Sequence, residues 1–231
     1  MIFLRWILTN ALQILDVKLE EELVAAQMLD VKELAETIVG IGFECTNCGA
    51  CCKGGDEDHT ATIFPSEIRK IQNVSKKEWR DVARPMPFGV RENEKGELVG
   101  ETFEWALQIG GCGDCSFYKE TDGKGMCGIY GFKALICETY PFSVDLGGSS
   151  KPKGEIVEKV GEILVHECEG IGREIEYKEA VKMAEVLKER TIREIEESIQ
   201  LIREYRSLKT GRERLIVHDS EGAKDRDGKI I

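Results

Sequence analysis

The sequence is poor in several things that would direct function elsewhere. It has three His, and neither an H-x-E nor an H-E-x-x-H pattern of zinc hydrolases. It has no excess of basic residues. Its 32 Lys and Arg stand against 43 Asp and Glu, a net charge of −11, which argues against a general nucleic-acid binder. It has no tandem repeat and no collagenous stretch. It has no Gly-rich nucleotide loop set between a strand and a helix, and Gly110-Gly111-x-Gly113 is too weak a match to count. It also lacks a long hydrophobic run. A membrane span needs about 20 mostly apolar residues, and the opening MIFLRWILTNALQILD is interrupted by Arg5 and Asn10. It reads instead as an amphipathic helix, with Phe3, Ile7, Ala11, Ile14 and Leu15 at helical spacing, packing on the domain or on a partner. A cleavable leader is not expected, because no small-residue cleavage site follows. An interfacial membrane helix is disfavoured, since no basic face accompanies the apolar one.

What the chain does have is cysteine. Nine stand at positions 45, 48, 51, 52, 112, 115, 127, 137 and 168, with none in the first 44 or last 63 residues. With 42% hydrophobic and 32% charged residues over 231 positions, the chain can bury an ordinary core without disulfide staples. A cytoplasmic location is expected. There thiols stay reduced, and clustered Cys are metal ligands more often than disulfides.

The elements are expected as follows. Residues 17–39 read as helical, with Asp30 and Glu33 capping a second segment and Gly40 and Gly42 ending it. Pro65 opens a short helix through Gln72, and Ser75 with Glu78 forms a capping box for another. Residues 88–110 form a hairpin turning near Asn93–Gly96. A short strand covers Met126–Tyr130, a helical turn Phe132–Cys137, and a weaker strand Glu158–His166. From Glu174 to about Leu208 runs a long charged helix, with Met183, Leu187, Ile195, Ile199 and Ile202 on one face. The tail 209–231 reads as polar and frayed. The expected class is α+β: an N-terminal helical segment (1–39), a small irregular cysteine-rich metal-binding core (40–172), and a long C-terminal helix with a polar tail (173–231).

Cys45-x2-Cys48-x2-Cys51 places a thiol at every third residue of a Gly-rich loop, so the thiolates can converge on one centre. This spacing opens the bacterial ferredoxin run, and it also contains the CxxC half-site of zinc knuckles, so both metals stay open. Cys52 departs from the pattern. Adjacent residues of extended backbone point to opposite sides, so Cys51 and Cys52 are expected to serve two centres lying close together. Cys115, Cys127, Cys137 and Cys168 bring the total to eight thiols, enough for two four-thiolate sites. Cys112 is left over, and reads as a reduced structural Cys or an alternate ligand through its CxxC with Cys115. Among the three His, His166 stands two residues from Cys168 and is the strongest secondary candidate, ahead of His59 and His218. Gly49, Gly54, Gly55, Gly111, Gly113 and Gly128 flank the thiols and allow close backbone approach to sulfur. Asp56, Glu57 and Asp58 read as a solvated acidic loop.

FECTNCGACC, then CSFY, CGIYGFKALICETYPF and HECEGIG resemble the cysteine-cluster family named for its CxxCxxCC motif, a zinc- or iron-chelating domain. The resemblance covers about residues 43–172 and extends distantly to the metal-binding part of flagellin lysine N-methylases. It matches Cys45, Cys48, Cys51 and Cys52 to the name motif, Cys115 and Cys127 with Ile129 and Tyr130 to the middle segment, Cys137 with Tyr140, Pro141 and Phe142 to the C-x-x-[FY]-P-F segment, and Cys168 to the late Cys. Cys112 falls outside. The family often carries Arg-Pro before the third-segment Cys and Arg after it, where this chain has Lys133-Ala134 and Glu138.

The expectation is therefore a metal-binding protein holding one or two iron–sulfur clusters of 4Fe-4S type, with an electron-transfer role and a protein redox partner. A structural zinc module and a lysine N-methylase-like enzyme are the alternatives. Neither nucleic acid nor membrane is expected as a partner.

Overall fold

The computed structural model describes residues 2–53, 60–122, 124–147, 156–205 and 214–231, and of residues 2–11 the backbone alone. The N-terminal half runs α1 (Ile2–Met28), α2 (Val31–Ile41), β1 (Thr62–Ile63), α3 (Pro65–Ser75), α4 (Trp79–Val82), β2 (Ala83–Pro85), β3 (Val90–Glu92), β4 (Leu98–Phe103) and β5 (Trp105–Leu107). There follow β6 (Tyr118–Thr121), β7 (Lys124–Cys127), a 3-10 turn at Tyr130–Phe132, α5 (Leu135–Thr139), β8 (Phe142–Val144), β9 (Ile156–Val160) and β10 (Ile163–His166). The chain closes with α6 (Tyr177–Glu204), β11 (Leu215–Asp219) and β12 (Gly222–Lys224). The class is α+β with a long C-terminal helix, as the sequence predicts. Among the described residues no helix is long and apolar enough to cross a membrane.

Two compact units divide the chain: residues 1–46 with 138–202, and residues 47–137 with 203–231. In the first unit, β8, β10 and β9 form an antiparallel sheet. Its Phe142, Ile163 and Val165 pack against Leu34 and Ile38 of α2 and against Ala180, Ala184 and Leu187 of α6. Each fully buried Leu or Ile here contributes about 1.5–3 kcal/mol. Further along α6, Ile195 and Ile199 bury against Leu19 and Ala26 of α1. The predicted apolar face of α6 is thus the one the structure buries. The predicted cap is also present, since the Asp30 carboxylate accepts the amides of Lys32 at 2.7 Å and Glu33 at 3.4 Å. The expected strand 158–166 is two strands, β9 and β10, joined through Gly161 at φ +61°.

The second unit holds two small sheets, in the orders β1-β5-β2 and β12-β11-β4-β3, and the hairpin β6-β7. Ile63, Ile68, Ile71, Val82, Leu107, Phe117 and Val217 surround Trp79 and Trp105, whose rings meet edge-on at 5.3 Å. The β3–β4 hairpin turns at Asn93–Gly96 as its sequence predicts. Two expectations fail here. Ser75 does not start a helix. It ends α3, its hydroxyl donating back to the Ile71 carbonyl at 2.7 Å, and α4 begins after Glu78, which makes no side-chain cap. Nor is the tail frayed over 214–231. β11 pairs in parallel with β4, and Leu215, Ile216 and Val217 are buried. Lys224, 1% exposed, reaches Asp219 at 2.9 Å and Glu221 at 2.7 Å.

Candidate metal centre

The loop after α2 is shaped by positive-φ residues. Asn47 sits at φ +56° and Gly49 at +77°. A Cβ on Gly49 would come within 2.6 Å of the Tyr118 ring, so the loop can lie on that ring only through a residue without a side chain. The Gly49 carbonyl accepts the amides of Cys52 at 2.8 Å and Lys53 at 2.9 Å, closing a tight turn. That turn removes the premise that Cys51 and Cys52 point apart. The backbone there is not extended, and the two Sγ atoms lie 3.8 Å apart.

Three other segments of the second unit bring thiols to this turn. The amide of Cys115 donates to the Cys52 carbonyl at 2.8 Å. Cys127, on β7, faces Tyr118 across the hairpin, and the Gly125 amide donates to the Asn47 carbonyl at 2.9 Å. Cys137 is carried by α5, whose first amide, that of Leu135, donates to Glu67 Oε1 at 2.8 Å. Glu67 Oε2 accepts the Phe64 amide at 3.0 Å, so one carboxylate of α3 fixes the start of α5.

Electrostatics records how close these thiols are. The hydrogen bond shared by the Cys51 and Cys52 thiols holds Cys52 well above the usual thiol range; burial and the charges of Cys51, Cys137 and Cys115 add to that. Cys51 is lowered to about 7 by that same bond. Burial raises Cys115 and Cys137, and each is raised further by the other thiols, Cys51 and Cys127 among them. Lys133 opposes this at Cys51 and Cys137, its ammonium lying 4.2 Å over the Tyr130 ring. Gathering these thiols makes ionisation of Cys52, Cys115 and Cys137 unfavourable unless a cation is bound. The donor set, sulfur throughout, suits zinc or iron. Among the described residues no three His, Cys, Asp or Glu side chains already close round a single point, so ligation requires the thiols to turn inward.

The eight sequence candidates divide between the units. Cys48, Cys51, Cys52, Cys115, Cys127 and Cys137 belong to the second, and Cys45 and Cys168 to the first. Within the first, the Glu44 amide donates to the Gly170 carbonyl at 3.1 Å, which lays the Cys45 and Cys168 segments side by side. The Gly170 amide also donates to Cys168 Sγ at 3.4 Å. Cys112 is exposed in the turn closed by Gly110 and Asp114. His166 has its Nε2 2.8 Å from Ser143 Oγ and its ring stacked on Tyr140. His218 is buried against Phe103 and Tyr205. His59, Gly54, Gly55 and Asp56–Asp58 lie outside the described residues.

Sequence reasoning passed over Tyr118, Gly125 and Glu67, and took Lys133 only as a departure. The aromatic of CSFY and the Gly between Cys48 and Cys51 carried the signal for the first. Lys133 supplies positive charge beside Cys51 and Cys137. A family model described as a "putative zinc- or iron-chelating domain", CxxCxxCC, matches residues 44–169. No curated protein and no solved structure matches the chain.

Proposed function

The chain belongs to the CxxCxxCC family of zinc- or iron-chelating domains, and on that premise we propose that this metal-binding protein is an iron–sulfur protein exchanging electrons with a protein partner. The observation that carries the reading is the all-sulfur donor group of the second unit. Cys51, Cys52, Cys115 and Cys137 influence one another's ionisation, Cys127 adds to the effect on Cys115 and Cys137, and Cys48 stands on the same loop. A tetrahedral zinc and a 4Fe-4S cluster each take four thiolates, and the ferredoxin-like opening Cys45-x2-Cys48-x2-Cys51 is what favours iron.

A cluster of 4Fe-4S type supplies one-electron transfer when bound. The chain's own part is to hold the thiolates and to set the charge around them. Glu67 fixes the α5 start that carries Cys137, and the Gly49 turn presents Cys51 and Cys52 together. Lys133 supplies positive charge that offsets the thiolates. A reducing compartment such as the cytoplasm would keep these thiols available.

The brevity of the strands favours a second reading, structural zinc. The strands of the second unit span two to six residues, and a metal there would supply folding energy. Electron paramagnetic resonance on anaerobically prepared, dithionite-reduced protein separates the two. The proposal expects a reduced-cluster signal at low temperature, and a silent, colourless protein holding zinc would reject it.

A further inference from the structure

Tyr118 lies among the thiol segments of the second unit without supplying a sulfur. Its amide donates to the Cys115 carbonyl at 2.9 Å, and in the β6–β7 hairpin it pairs directly with Cys127. Its ring meets the cysteine loop at Gly49 and the hairpin at Gly125. A Cβ on Gly49 would lie 2.6 Å from the ring carbon Cε2, and one on Gly125 would lie 2.9 Å from that carbon and 3.0 Å from Gly49 Cα. Loop and hairpin are therefore packed backbone to backbone, with the ring wedged beside both.

The far end of the same side chain joins a polar contact between these two segments. The Tyr118 hydroxyl donates to Glu120 Oε2 at 2.9 Å. The Lys53 ammonium stands 2.7 Å from that same oxygen and 5.6 Å from the centre of the Tyr118 ring. Lys53 follows Cys52 directly, and its amide closes the Gly49 turn at 2.9 Å. Glu120 and Tyr118 belong to β6, whose partner strand carries Cys127. The contact thus ties the end of the Cys48–Cys52 loop to the hairpin that holds a further thiol. Charge-assisted bonds of this kind fix geometry as well as adding attraction. The Lys53 and Glu120 side chains are 44% and 46% exposed, so the tie is weak enough to open and reclose without unfolding the chain.

We infer that Lys53, Glu120 and Tyr118 are positioning residues for metal exchange, forming a latch on the cysteine loop. Closed, the latch holds Cys51 and Cys52 against the hairpin that carries Cys127. Open, it frees the loop to take up or release an ion. The inference rests on the reading that the thiols of the second unit bind metal, and it holds for zinc as for iron. None of the three side chains offers sulfur to the ion. The latch therefore acts on the rates of entry and release together and leaves affinity nearly unchanged, whereas loss of a thiolate lowers affinity itself.

The test follows zinc(II) entering the full chain by stopped flow and leaving it for excess 4-(2-pyridylazo)resorcinol at low salt. Lys53→Glu sets a like charge against Glu120 and is expected to speed both steps about two- to fivefold, the range open to an exposed ion pair, with Kd changed less than about twofold. Lys53→Glu combined with Glu120→Lys restores the pair and should return both rates to those of the wild type. Glu120→Gln serves in place of Lys53→Glu if that variant fails to fold. Hydrogen exchange of the Gly125 amide, which donates to the Asn47 carbonyl, reads the same opening by NMR without any metal. It should quicken in Lys53→Glu and recover in the charge swap. Wild-type rates in Lys53→Glu, a swap that stays as fast as the single variant, or a Kd that rises in step with the release rate would each overturn the inference. A chain that takes up neither zinc nor iron would reject the metal reading instead. The Gly125 amide still decides the latch in that case, and unchanged exchange in Lys53→Glu would reject it.

Discussion

The amide of Cys115 donates to the carbonyl of Cys52 across 2.8 Å, tying the two cysteine segments of the second unit together by main chain alone. The bond needs no side chain from either residue. Thiols can therefore be removed one at a time without dissolving the framework that gathers them.

Cys52→Ala should for this reason act on metal retention before it acts on fold. Loss of a direct thiolate is expected to exceed the 10–100-fold affinity loss typical of an outer-shell change. Cys112→Ala, at an exposed turn, should leave metal content unchanged. Elemental analysis of both variants checks this, and equal losses would contradict the division of roles.

Gly49 and Gly96 share nearly the same backbone, at φ +77° and +75°, but only Gly49 is crowded. Gly96→Ala meets nothing within 4 Å and should cost about 1–2 kcal/mol from the left-handed backbone alone. Gly49→Ala adds a collision with the Tyr118 ring and should cost more, by at least about 1 kcal/mol. Denaturant unfolding of the two variants checks the order, and Gly49→Ala should also shed metal.

Lys224 is a buried cation whose removal strands a buried anion. Asp219, 3% exposed, loses its ammonium in Lys224→Met and keeps two neutral donors among the described residues, Trp105 Nε1 at 2.8 Å and the Glu221 amide at 2.9 Å. Breaking such a pair costs about 3–5 kcal/mol. Thermal unfolding should show that loss, and a variant as stable as the wild type would refute it.

Glu221 gives a pH dependence of known sign. Its hydrogen bond from Arg69, with Lys224 assisting, lowers the carboxyl from 4.5 to about 2. The unfolded chain then takes up this proton first as pH falls. The stabilisation is complete above about 4.5 and is lost as pH drops towards 2. The carboxylate is 35% exposed, so solvent screening leaves about 1 kcal/mol at most. Acid titrations of the wild type and Glu221→Gln should converge below that window and separate above it.

Much of this was legible locally. Asp30 with Glu33, Pro65, the Asn93–Gly96 turn and the face of α6 are set by neighbouring residues, so short-range chemistry predicts them. The cysteine spacing likewise announces a metal site. What the sequence hides depends on distant partners. β11 looks like polar tail because its burial comes from a parallel pairing with β4. Ser75 looks like a cap because the sequence does not say that α3 runs on to include it. Cys51 and Cys52 look divergent until the turn at Gly49 is known. The shares of Glu67 and Lys133 follow from where α5 docks, which no spacing encodes.

Iron, zinc and acid-labile sulfide per chain, measured on protein purified without oxygen, test the central claim most directly. The account predicts about four to eight iron atoms with matching sulfide. About one or two zinc atoms with no sulfide would contradict it and leave the thiols a structural role.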